Sequence, residues 1–196
     1  MKKKKLLLAA VSLTLLLGGC AFGNQAVDTT TIIVDKNGTV VEAIVEDFDK
    51  DYYRADELEQ MVDEEISAYN TEAGEQKVKL DSFEQEEENG KISLRIEYAS
   101  DEDYTQMNER TLFCGTVSDA YQAGYTFVSM IDQKTGAAVA QEDILEMGDK
   151  MIVISEEALD IRVPGKIVYA SEGVAVSEKT ATLPDDGEKL SYIIYE

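Results

Sequence analysis

Between positions 91 and 99 the chain alternates strictly. Ile92, Leu94, Ile96 and Tyr98 are apolar, and Ser93, Arg95 and Glu97 between them are polar. A period of two sends successive side chains to opposite faces, so this pattern predicts a strand with one buried and one wet face. Val78 and Leu80 fit the apolar side of a partner strand over 76–87, with Asn89-Gly90 as the turn. Glu84, Glu86, Glu87 and Glu88 charge the tip of that pair, which suits an exposed sheet edge.

The remaining pattern is read the same way. Residues 31–34 and 39–46 are β-rich and flank Asp35-Lys36-Asn37-Gly38, which predicts a first hairpin. Over 53–69, Leu58, Met61, Val62, Ile66 and Tyr69 recur at helical spacing and predict an amphipathic helix with acids in its early turns. Ser100 before three acids signals a second helix start. Residues 112–115 lead into a short helix at 117–123, capped by Thr116 and Asp119 and stopped by Gly124. Residues 127–131 predict a central strand, and 142–147 a helical turn or two. Further strands follow at 150–154, 161–163, 166–170, 174–177 and 190–195, with Ser171-Glu172-Gly173 as a tight hairpin. The sum is an α+β fold: a mainly antiparallel sheet, two helical regions packed on one face, and a β-rich C-terminal segment. Residues 31–196 are expected to form a single domain; the alternative places a sub-boundary at 132–149 and makes 150–196 a separate β-rich unit.

The first twenty residues follow none of these periods. Lys2 to Lys5 are cationic, and 6–17 form an apolar run too short to span a bilayer, which takes roughly 20 residues. Leu17-Gly18-Gly19-Cys20 then resembles the lipobox of bacterial lipoproteins, with Gly18 where Ala or Ser is more usual. The resemblance implies a signal peptide over 1–19, cleavage after Gly19, and acylation of Cys20. It makes 20–30 a lipidated tether and puts the protein on the outer face of the cytoplasmic membrane. Two acyl chains would anchor it stably, at about 0.8 kcal/mol per buried methylene. The acidic α+β body likewise resembles small acidic lipoproteins of Gram-positive bacteria that have no assigned activity.

Charge and composition narrow the chemistry. The chain has 40 acidic and 18 basic residues, a net charge of −22, and the signal would remove four lysines but no acid. Such a surface repels nucleic acid, so none is expected as a partner. There is no histidine, which excludes His-based acid–base and nucleophilic arrangements and ordinary zinc sites. With Cys20 acylated, Cys114 has no disulfide partner and reads as an inert thiol in an apolar setting.

The remaining candidates are weak. Asp47, Asp49 and Asp51 have the spacing of a calcium-loop start, but Tyr52 stands where that loop needs Gly and Leu58 where it needs Glu. Tyr52, Tyr53, Tyr121, Tyr125, Tyr169, Tyr192 and Tyr195 are candidates for a binding surface. No acid is singled out as isolated among apolar residues, so no catalytic pair is assigned, and no cofactor is expected. The sequence therefore points to a membrane-anchored, non-catalytic binding module for a protein or small-molecule ligand. The alternatives are an ion or small-ligand receptor accessory to a transporter, and a carboxylate-based cell-wall hydrolase.

Overall fold

A computed structural model describes residues 26–86, 90–185, 187 and 189–196. The signal segment, Cys20, Asn89 of the predicted turn, and Glu87 and Glu88 of the charged tip lie outside the described residues. The chain runs β1 (Thr31–Val34), β2 (Val40–Asp47), α1 (Ala55–Ala73), β3 (Val78–Glu86), β4 (Lys91–Tyr98), α2 (Asp101–Asn108), β5 (Leu112–Thr116) and α3 (Val117–Gln122). It continues with β6 (Met130–Asp132), β7 (Ala138–Val139), α4 (Gln141–Leu145), β8 (Met151–Ser155) and β9 (Asp160–Arg162). Then come β10 (Ile167–Ser171), β11 (Ala175–Ser177), β12 (Thr180–Thr182) and β13 (Ser191–Tyr195). Among the described residues, no helix is long and apolar enough to cross a membrane.

The strands form two sheets. One has the order β11-β12-β9-β1-β2-β4-β3, the other β5-β8-β13-β10-β6-β7. Pairing is antiparallel except for β1 with β9, so the molecule is a strand-rich α+β protein. The first hairpin forms as expected: Val34 faces Val40, Gly38 takes a positive φ of 88°, and Asp35 exchanges a backbone hydrogen bond with Thr39. The alternating pair also forms, with Val78 opposite Tyr98 and Leu80 opposite Ile96.

One core lies between the sheets. It joins Ile32, Val40, Leu94, Ile96 and Tyr98 of the seven-stranded sheet to Val153, Ile167, Ile193 and Tyr195 of the six-stranded sheet. Ile66 of α1 and Tyr104 of α2 belong to the same cluster. A second core covers the other face of the six-stranded sheet, where Val117, Ala120 and Ile144 from α3 and α4 pack on Ile152, Ile154 and Ile194.

Several local expectations change. Residues 112–115 lead into α3 as expected, and they do so as most of β5, a strand paired along β8. The expected hairpin at Ser171-Glu172-Gly173 does not form: β10 belongs to one sheet and β11 to the other, so the turn carries the chain across the core. The strand over 127–131 contracts to Met130–Asp132. Met61 is exposed, not buried. The stripe that packs is Val62, Ile66 and Tyr69, and Met61 lies about 100° around the helix from Val62. The expected tether is attached before residue 31. Val27 packs on Ile33, Val41 and Ala43, and the Thr30 hydroxyl accepts the Val45 N–H at 3.1 Å.

Candidate binding site

The acid triplet at the end of β2 does not converge. The Asp47 carboxylate lies 3.5 Å from Lys91 Nζ, and Asp49 lies 3.0 Å from Lys50 Nζ. That lysine holds the Asp49 carboxyl below its ordinary value. Asp51 is exposed, and its backbone carbonyl accepts from Arg54 Nη1. Among the described residues, no group of three or more acids or cysteines is placed to hold a metal ion. The strand ends at Asp47, so Asp49 and Asp51 follow the irregular chain that leads into α1 and lose the common face that a two-residue spacing would give them in a strand.

The tyrosines do not share one surface either. Tyr52 and Tyr121 are exposed on separate elements, whereas Tyr192 and Tyr195 are buried in the two cores. Cys114 is a free thiol, and burial pushes it well above its ordinary pKa.

Two polar groupings emerge that the sequence did not single out. The first is a seam inside the main core. Glu42 lies in register between Val40 and Ile44, so the pleat turns its side chain toward the core face. The Tyr98 hydroxyl donates to Glu42 Oε2 at 2.8 Å and accepts from Asn108 Nδ2 at 3.1 Å. The Tyr104 hydroxyl donates to Glu157 Oε2 at 2.5 Å, and the two tyrosine rings meet edge-on at 5.1 Å. Burial raises the Glu42 carboxyl, and the nearby Glu157 charge raises it further against the stabilising Tyr98 hydrogen bond. Burial, then the Glu42 charge, raise both tyrosine hydroxyls, which therefore act as neutral donors. The seam thus joins β2, β4, α2 and the segment after β8. Each described carboxylate contact in it is already made by a tyrosine.

The second grouping is a cleft of about 570 Å³ at one end of the six-stranded sheet. The β6–β7 turn presents Lys134: Asp132 Oδ1 accepts the Lys134 and Thr135 N–H groups at 2.8 Å each, which holds that carboxyl below its ordinary range. Lys166 stands at the entry to β10, where its backbone pairs with Glu196 in both directions. Lys150, at the entry to β8, forms an ion pair with Glu196. Two of the acids lining the cleft are therefore committed, Asp132 to its turn and Glu196 to Lys150; Glu178 on the β11–β12 turn is the third. Among the described residues, Lys134 and Lys166 form no salt bridge and are exposed. Their charges act on the neighbouring carboxylates, Lys134 on Asp132 and Lys166 on Glu196, without closing an ion pair. On a chain of net charge −22, three lysines converging on one concavity are unusual. By contrast, a shallower depression along the outer face of α1 is lined by Asp56, Glu59, Asp63, Glu64 and Glu72, an ordinary solvated helix face.

The lysines escaped sequence reading because 134, 150 and 166 lie in different connections, and only strand order gathers them. Glu42 did carry a signal: in Val40-Val41-Glu42-Ala43-Ile44, alternation places it with Val40 and Ile44. Comparison of the chain with family models, curated proteins and solved structures gives no match.

Proposed function

We propose that this protein is a lipid-anchored, extracytoplasmic binding module without catalytic activity, and that its ligand is a small anion held in the lysine cleft. In this reading residues 1–19 are a signal peptide, Cys20 carries the lipid, and 31–196 act as one α+β unit outside the cytoplasmic membrane. The helices α1 and α2 serve as a layer on one face of the seven-stranded sheet, beside the second sheet. The observation that carries the reading is the pairing state of the cleft: Lys134 and Lys166 are exposed and close no ion pair, while two of the neighbouring acids are engaged, Asp132 by its turn and Glu196 by Lys150. With three lysines set against three acids, the cleft is far less acidic than the rest of the surface, so an anion meets least repulsion there.

Isothermal titration of methyl phosphate into the full chain, held in phosphatidylcholine nanodiscs, tests the cleft. Saturable binding that disappears in Lys134→Gln/Lys166→Gln is expected, and equal binding by parent and variant would exclude it. The anchor is tested separately: Cys20→Ala should leave the membrane fraction or accumulate unprocessed. Full membrane retention of a processed Cys20→Ala protein would overturn the lipobox reading.

A second reading, a carboxylate-dependent hydrolase, draws on the raised Glu42 beside Glu157. It is the weaker one, since both carboxylates are occupied by tyrosine hydroxyls within the core.

A further inference from the structure

Next to the lysine cleft lies a second hollow, of about 320 Å³. Its lining differs in kind: Val34, Met151, Pro164 and Tyr195 supply apolar surface, and the Cys114 sulfur adds to it. Two stretches of chain divide their residues between the hollows. Lys150 and Lys166 line the cleft, while their neighbours Met151 and Gly165 line the second hollow. Glu196 lines both. The two hollows meet at Glu196, whose backbone pairs with Lys166 and whose side chain pairs with Lys150, the Glu196 and Lys150 side chains being 56% and 29% exposed. A pair so open to water is weak and readily displaced by a competing anion.

From this juxtaposition we infer that the ligand is an amphiphilic anion: its charged head meets Lys134 and Lys166, and its apolar part lies over Met151, Pro164 and Tyr195. The inference rests on the anion-binding reading above and adds the second half of the ligand. Three features support it. Met151 is 39% exposed at the rim, and its flexible thioether adapts to varied apolar shapes. Gly165 lets the chain pack directly on the Glu196 backbone and the Tyr195 ring, where a Cβ would collide with both, and this fixes that wall of the hollow. A head group that recruits Lys150 would release the Glu196 side chain at the border of the two hollows, while the Lys166–Glu196 backbone pairing keeps the strand end in place. The ligand is a free solute rather than a lipid held in the bilayer, because a tethered body that loses four lysines with its signal and keeps all 40 acids is held off an anionic bilayer surface by its charge.

The test compares phenyl phosphate with methyl phosphate, matched in head group, by isothermal titration into the full chain in phosphatidylcholine nanodiscs, with empty discs as blank. Phenyl phosphate should bind about tenfold tighter, the gain from burying on the order of 60 Å² more apolar surface. Met151→Ser, which removes the apolar rim without adding a charge beside Lys150, should abolish that gain, and a full tenfold preference in this variant would overturn the placing of the apolar part. Equal affinity for the two phosphates would overturn the amphiphile inference while leaving the anion site standing. Absence of binding by either would overturn both. Loss of phenyl phosphate binding when phosphatidylglycerol is added to the discs would overturn the assignment to a free solute.

Discussion

Replacing Tyr98 by phenylalanine removes one oxygen from the centre of the polar seam. Tyr98 is fully buried, so water cannot replace the lost hydroxyl. Glu42 Oε2 loses its donor and Asn108 Nδ2 loses its acceptor. A hydrogen bond to a charged group contributes about 1.5–3 kcal/mol, and a stranded buried partner keeps the loss at the upper part of that range. We expect Tyr98→Phe to lose about 2–3 kcal/mol. For a domain of this size that lowers Tm by about 4–12 °C. The double variant Glu42→Met/Tyr98→Phe removes the Glu42–Tyr98 pair and leaves only Asn108 Nδ2 without its acceptor, so it should cost less than the two single losses together. Urea unfolding of residues 26–196, followed by circular dichroism, gives the full double-mutant cycle. A coupling of about 1–3 kcal/mol is expected. The seam argument fails if Tyr98→Phe costs under about 0.5 kcal/mol, or if the two single losses simply add.

Glu42→Gln should change the pH dependence of stability. The native Glu42 carboxyl holds its proton more firmly than the unfolded one, so its contribution is full below the unfolded value and lost as pH rises through the raised native value. The Gln variant lacks that loss and should be the more stable protein at pH 7; a variant with the parent's slope between pH 4 and 7.5 refutes this. Thr116→Ala breaks a reciprocal cap, in which the Thr116 hydroxyl accepts from Asp119 N and the Asp119 carboxylate accepts from Thr116 N. It should cost about 1 kcal/mol in urea unfolding, and an unchanged midpoint would show that α3 is held by packing alone. Gly165→Ala forces a methyl against the Glu196 carbonyl and the Tyr195 ring. A loss of about 1–3 kcal/mol is expected, and a neutral thermal melt would mean that the β10–β13 end yields freely.

Local structure was largely legible. The hairpin at Asp35-Lys36-Asn37-Gly38, the alternating β4, the Ser100 cap and the Thr116–Asp119 box all form, because each depends on residues within a few positions of one another. Sheet membership was not legible. The Ser171-Glu172-Gly173 turn has hairpin composition, yet β11 pairs with β12 and β10 with β6 and β13. A turn fixes chain direction; which edge the next strand joins depends on the surface waiting there. Glu42 is the intermediate case. Its face followed from alternation, but the groups that act on it, Tyr98 by hydrogen bond and Glu157 by charge, come from later segments, and Asn108, which donates to Tyr98, comes from a third.

By itself the sequence determined the strand-rich α+β character, the caps and turns, the acidic surface, and the exclusion of histidine chemistry. All of these are written in composition and in periods of two to four residues. Tertiary structure alone decided that strands after residue 150 alternate between two sheets, that a carboxylate–tyrosine seam runs through the main core, and that Lys134, Lys150 and Lys166 share one cleft. The reason is physical. Apolar burial is non-directional, so many strand orders satisfy the same pattern, and only the packed arrangement determines which distant polar residues meet.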